Sequence, residues 1–234
     1  MASLRDVKIC IVLNFQAKEM YANDSALAAT NDNATDCRYS CYKKGYINDP
    51  YVEWFANCPI KSPLINRGTY LRTKAVDEIV LSFLKKNKDG QILSFGAGFD
   101  TRYFRLGLSC KYVEIDKIEV IMEKLNKLRR HLKSLKLPNS QLKSSGLTSD
   151  TLEIRAADVL ELDQDNLEIL VDFKHPTLVI AECLFVYLDP IKVDLLITQL
   201  FKRKAEIVVY DPLDNGDGFS HQMVSNLNVY SHLT

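Results

Sequence analysis

The sequence predicts an α/β fold built on a mostly parallel sheet with helices on both faces. Three observations carry that expectation. An apolar run enters a glycine bend in QILSFGAGFDTRYFR, residues 91–105. Five short strand-like runs are mostly separated by helical segments, the pattern of right-handed βαβ units. Acidic residues recur where those runs end, at Asp116, Asp158 and Glu182.

Taken in order, the first 28 residues carry no clear period and read as a loosely held arm, with apolar alternation at Val7, Ile9, Ile11 and Leu13 as its one strand-like feature. The stretch 29–50 is dense in Asn, Asp and Thr, which cap and turn chains through short polar side chains, so a surface capping segment is expected there. It also carries Arg38, Lys43 and Lys44, cations able to meet an anionic group. Tyr51, Trp54 and Phe55 read as aromatic packing against the core. Val76, Ile79, Val80, Phe83 and Leu84 fall on one helical face, and Lys85, Lys86 and Lys88 suit the end of that helix ahead of Gly90. Arg67 and Arg72 sit early in the same helix, where the dipole disfavours cations, so a ligand-facing role is expected for them.

The strand at residues 92–95 leads into Gly96 and Gly98. Glycine has no Cβ, so backbone there adopts positive φ and admits close approach. A second strand, 111–115, ends at Asp116, 20 positions after Gly96, where nucleoside-binding folds place a carboxylate for ribose hydroxyls. A long amphipathic helix follows, with Ile121, Leu125, Leu128, Leu132 and Leu135 on one face. Lys124, Arg129, Arg130 and Lys133 are assigned to its solvated side. Residues 138–150 read as a polar connection, 152–157 as a third strand ending at Asp158, and 167–171 as a brief helix. Residues 178–181 have the continuous apolar run of a buried parallel strand, broken by Glu182, a charge that needs a partner at that depth. Asp189 and Pro190 predict an N-cap and first turn for a helix through Lys202, and 206–210 is the fifth strand.

Lys plus Arg equals Asp plus Glu at 30 each, so no overall field draws the chain to nucleic acid or an anionic membrane. The longest early apolar run, 9–13, is too short for a signal core or a span. Six cysteines without a CxxC pair, and four histidines without metal-ligand spacing, predict reduced thiols, no metal and a cytoplasmic protein.

The strand ends suit a nucleoside ligand. A dinucleotide is disfavoured because no third glycine stands near Thr101. S-adenosylmethionine needs no pyrophosphate cradle, and its amino-acid end needs the cation and anion that an arginine and Glu182 provide.

Seven stretches together resemble the leucine carboxyl methyltransferase family: TNDNATDCRYS, GYINDPY, INRGTYLR, FGAGFDTRYFRL, KYVEID, AADVLEL and LVIAECLFVYLDP. The resemblance implies a class I, Rossmann-like methyltransferase fold. It implies transfer of a methyl group from S-adenosylmethionine to the C-terminal leucine carboxylate of the type 2A protein phosphatase catalytic subunit. By position it implies cofactor contacts at Arg38, Arg72, Gly96, Gly98, Asp116, Asp158, Val159 and Glu182, with Arg72 and Tyr187 as the catalytic candidates. A packing role for Tyr187 is the alternative. It further implies an arm over 1–28, a helical cofactor and substrate cap over 29–90, and a methyltransferase core over 91–234 in which the family's last strands are missing. On that reading residues 206–210 form an exposed sheet edge. The rival expectations are a catalytically inactive form that still binds cofactor or phosphatase, and a transfer-RNA wybutosine-pathway methyltransferase, whose relative shares the N-terminal motifs but adds a β-propeller region.

Overall fold

The computed structural model describes residues 10–11, 24–135 and 137–211. Residues 1–9 and 12–23, which hold most of the expected arm, and the tail after Asp211 lie outside the described residues.

Among the described residues eight strands form one sheet in the order β1-β8-β7-β2-β3-β6-β5-β4. They are β1 (Cys10–Ile11), β2 (Gln91–Phe95), β3 (Tyr112–Asp116), β4 (Gln141–Leu142), β5 (Gly146–Thr148), β6 (Leu152–Ala156), β7 (Thr177–Glu182) and β8 (Glu206–Tyr210). The five expected strands are the central ones, and all their pairings are parallel. Chain order reverses between β2 and β7, which makes their carboxyl ends the topological switch point where ligands lie in such sheets.

The helices are α1 (Asp24–Lys43), α2 (Pro63–Lys86), α3 (Arg102–Arg105), α4 (Ile118–Leu128), α5 (Leu132–Leu135), α6 (Gln164–Leu170) and α7 (Pro190–Lys202). Side-chain alternation splits the core in two. Ile92, Tyr112, Ile154, Leu178 and Ile180 pack with Val76, Val80 and Phe83 of α2 and Ile121, Leu125 and Leu128 of α4. Leu93, Phe95, Val113, Ile115 and Val179 pack with Leu167 and Leu170 of α6 and Leu196 and Leu200 of α7. Both faces of the central strands are thus buried, which is why they read as continuous apolar runs. The α7 start is as expected: Pro190 is the first helical residue, and the Asp189 carboxylate accepts from the Ile191 and Lys192 amides.

Five expectations are corrected. The Asn- and Asp-rich stretch is α1 rather than a capping segment. Its face carrying Thr35, Tyr39, Ser40 and Cys41 is buried, and Ser40 Oγ donates to Asn66 Oδ1 of α2 at 2.8 Å, so packing overrides weak helix propensity. The polar connection 138–150 contains β4 and β5, which extend the sheet antiparallel from β6. The long helix breaks between Leu128 and Leu132. The β8 edge is covered: Cys10 and Ile11 pair in parallel with Val208 and Val209, so the alternation near the N-terminus does contain a strand, and a strand supplies β8 with backbone partners. Finally, Lys124 is fully buried rather than solvated.

Candidate active site

The site is assembled where β2, β3, β6 and β7 end. After β2, Gly96 and Gly98 have φ of +57° and +49°. Both positions are filled from the protein: a Cβ on Gly96 would lie 2.7 Å from Leu184 Cδ1, and one on Gly98 would lie 2.3 Å from Asn31 Oδ1. The requirement for glycine therefore comes from close packing by α1 and the loop after β7 as well as from positive φ. Asn31 Oδ1 accepts from the Phe99 amide at 3.0 Å, tying the turn to α1.

Asp116 ends β3. Its carboxylate accepts from the Gly98 amide at 2.7 Å and the Lys117 amide at 2.8 Å. Burial pushes this carboxyl up, and the two amides pull it back toward its ionised form. Asp158 follows β6, is exposed, and caps a single 3-10 turn by accepting from the Leu160 amide at 2.9 Å; its neighbour Val159 is buried. An open cleft of about 300 Å³ lies beside Asp158, lined by Lys117, Ile118, Glu119, Ala156, Ala157 and Asp158.

On the other side of the glycine turn the chemistry is different. Glu182, at the end of β7, faces two guanidiniums. Arg102 Nη2 donates to Oε2 at 2.8 Å, and Arg72 Nε lies 2.8 Å from Oε1 in a charge contact that is not an aligned hydrogen bond. Arg72 Nη1 also donates to the Cys183 thiol at 3.3 Å. Arg102 bonds Asp100 and, through Nε, Asp77 at 3.1 Å. Asp100 receives Arg38 Nη1 at 2.9 Å. Arg105 closes a bidentate pair on Asp77 at 2.6 and 2.8 Å, and Asp49 accepts from Thr101 Oγ1 at 2.6 Å. Burial alone would raise Asp100 and Glu182. The guanidiniums of Arg102 and Arg38 outweigh it for Asp100, and those of Arg102 and Arg72 for Glu182, so both carboxyls sit below their ordinary values and stay ionised.

The sequence picked out Arg38, Arg72 and Glu182 from this network but missed Asp49, Asp77, Asp100, Arg102 and Arg105. Their available signal was charge within otherwise apolar stretches, as at Asp77 between Val76 and Ile79. Arg67 is exposed and does not join the site. Tyr187 lies at the end of a 3-10 turn, Phe185–Tyr187, that follows β7. That loop is held to β8 by the Cys183 amide donating to Tyr210 O at 2.6 Å and the Leu184 amide donating to Asp211 Oδ1 at 3.0 Å. Cys183 has φ of +53°, a strained value for a residue with a side chain.

The donor set fits an amino acid joined to a nucleoside. Arg38 Nε and Arg72 Nε are buried donors without an aligned acceptor, suited to a carboxylate, while both Glu182 oxygens face guanidiniums. Asp116 and the cleft beside Asp158 suit ribose hydroxyls and a flat base. Residues 26–201 match the family profile of leucine carboxyl methyltransferase. The chain belongs to the leucine carboxyl methyltransferase family.

It is 34% identical to leucine carboxyl methyltransferase 1 of Schizosaccharomyces pombe over 217 residues, covering 86% of this chain and 69% of that protein. The leucine carboxyl methyltransferase 1 homolog of Arabidopsis thaliana is 35% identical over 228 residues, with 89% and 68% covered. The Caenorhabditis elegans leucine carboxyl methyltransferase 1 is 32% identical over 235 residues, with 88% and 69% covered. The chain is thus an S-adenosylmethionine-dependent methyltransferase with the mixed α/β fold of class I. Among the described residues no helix is long and apolar enough to cross a membrane.

Proposed function

We propose that this methyltransferase acts on the C-terminal leucine carboxylate of the type 2A protein phosphatase catalytic subunit. The observation that carries the reading is the split character of the strand ends. Asp158 lines an open cleft that starts at Lys117, the residue after Asp116, and Arg38, Arg72 and Glu182 form a buried charged cluster across the glycine turn from it. In this arrangement Asp116 takes the ribose hydroxyls, Asp158 and Val159 take the base edge, and Gly96 and Gly98, packed against Leu184 and Asn31, set the turn that carries the cofactor. Arg38 and Arg72 take the cofactor's carboxylate, and Glu182 its ammonium. The α1 and α2 region acts as a cap over the site.

S-adenosylmethionine supplies an electrophilic methyl group. The acceptor needs little from the protein, because a C-terminal carboxylate with a pKa of roughly 3.5 is already ionised at neutral pH and requires no general base. The chain's contribution is alignment and exclusion of water, and positioning of this kind lowers barriers by on the order of 7–11 kcal/mol. Arg72 stands between Glu182 and the loop carrying Tyr187, so it can hold one carboxylate while its ion pair keeps it in place. Tyr187 is assigned to orient the acceptor. The free thiols of Cys37, Cys41, Cys58, Cys110 and Cys183 fit a reducing, cytoplasmic setting.

The test is transfer of a tritiated methyl group to a peptide carrying the phosphatase C-terminus, with its C-terminal amide as control. Base-labile label on the acid peptide alone is expected. Label on neither peptide, from folded protein that binds S-adenosylhomocysteine, rejects this acceptor.

A further inference from the structure

Lys124 interrupts the apolar face of α4. Ile121, Leu125 and Leu128 surround it on that face, and an apolar side chain at 124 would complete the stripe. Instead its ammonium is wholly buried, paired with the Glu114 carboxylate of β3, which is itself 1% exposed, and donates to the Asp100 carbonyl oxygen at 3.0 Å. One buried cation therefore joins α4, β3 and the glycine turn.

Stability is a poor explanation for this arrangement. Taking both charges out of water is costly, and replacing a buried pair by apolar side chains of similar volume is often neutral or stabilising. Burial pushes Glu114 up to about 7 even with Lys124 pulling it down, a sign of how hard the site is on charge. Position offers a better explanation. The Asp100 carbonyl and carboxylate flank one Cα. Fixing the carbonyl fixes the peptide plane that leads into α3, and with it the aim of the carboxylate that receives Arg38 and Arg102. The amide side of the turn is already anchored by Asp116 and Asn31, so Lys124 adds an anchor on a carbonyl.

We infer that Glu114 and Lys124 are a positioning pair for the cofactor site, acting through the Asp100 backbone on Arg38 and Arg102 rather than by touching the cofactor. The inference rests on the cofactor reading above, and its test separates the two. The variant is Glu114→Met/Lys124→Met, followed by amide hydrogen exchange and by calorimetry with S-adenosylhomocysteine. Expected are a urea midpoint at or above wild type, exchange of the 98–102 amides accelerated tenfold or more with the β2, β3 and β7 amides unchanged, and affinity at least tenfold weaker.

Unchanged exchange at 98–102 overturns the inference whatever the affinity does. So does unchanged affinity in a variant whose turn has loosened, or loss of protection across the whole sheet. If the wild type fails to bind S-adenosylhomocysteine, the cofactor reading fails, and the exchange arm still decides whether the pair fixes the turn. Should the double variant not fold, Glu114→Gln/Lys124→Gln removes both charges together, stranding neither, while keeping hydrogen-bonding side chains. A roughly threefold acceleration confined to 98–102 then supports the pair, and wild-type exchange there overturns it.

Discussion

The two sides of the glycine turn hold charge in opposite ways. Toward β3 and β6, Asp116 and Asp158 are single carboxylates satisfied by backbone amides, Asp158 at the wall of an open cleft. Toward β7 and α2, Asp77, Asp100 and Glu182 lie away from solvent and are paired with the guanidiniums of Arg38, Arg72, Arg102 and Arg105. Removing a carboxylate of the first kind should cost binding and little else. Breaking a pair of the second kind strands charges in the interior and should cost the fold.

The sharpest way to break that contrast is Arg102→Ala. It strips partners from Asp77, Asp100 and Glu182 together, and removal of one member of a buried pair costs about 3–5 kcal/mol. Urea unfolding should show a loss of at least that size, and a loss below about 1 kcal/mol would erase the distinction between the two sides. Asp116→Ala comes next. A hydrogen bond to a charged group contributes about 1.5–3 kcal/mol, so affinity for S-adenosylhomocysteine should fall roughly ten- to a hundredfold in a protein that still unfolds cooperatively.

A third test uses pH. Asp211 is raised from the usual 3.8 to about 6, chiefly by burial, while the Leu184 and Val186 amides pull it down. The fold thus favours the protonated acid. The stability this contributes is present below about pH 4 and lost as pH rises through about 6. Asp100 and Glu182, held below their ordinary values, act with the opposite sign, contributing above the normal carboxylate range and losing that contribution in stronger acid. Asp211→Asn should flatten the pH 4–6 part of the urea-stability profile by on the order of 2 kcal/mol. A slope identical to wild type would show that Asp211 titrates as if exposed. The smallest effect is expected for Asp158→Ala, which removes an exposed cap worth about 1 kcal/mol, with affinity falling only a few-fold by calorimetry.

The same contrast explains what was legible in the sequence. Asp116 and Asp158 are readable because each closes an apolar run, and the strand itself supplies their position. Glu182 was readable as a charge in need of a partner, but the identity of Arg102 as that partner depends on β2 and β7 lying side by side. Lys124 was misassigned on its charge although its spacing from Ile121 and Leu128 puts it on the apolar face; only the position of Glu114 on β3 and of the Asp100 carbonyl makes the interior tolerable for it. β1 was visible as alternation without a partner, since its partner β8 lies almost two hundred residues away in the chain. The β4–β5 hairpin was hidden by polar residues at the sheet edge, where one exposed side removes the apolar signal.

The central claim is that these strand ends form an S-adenosylmethionine site, and calorimetric titration of folded wild-type protein with S-adenosylhomocysteine, run beside Asp116→Ala, tests it most directly. The account predicts saturable one-to-one binding by the wild type, weakened at least tenfold in the variant. No heat of binding to the folded wild type, or equal affinity in the two proteins, would contradict it.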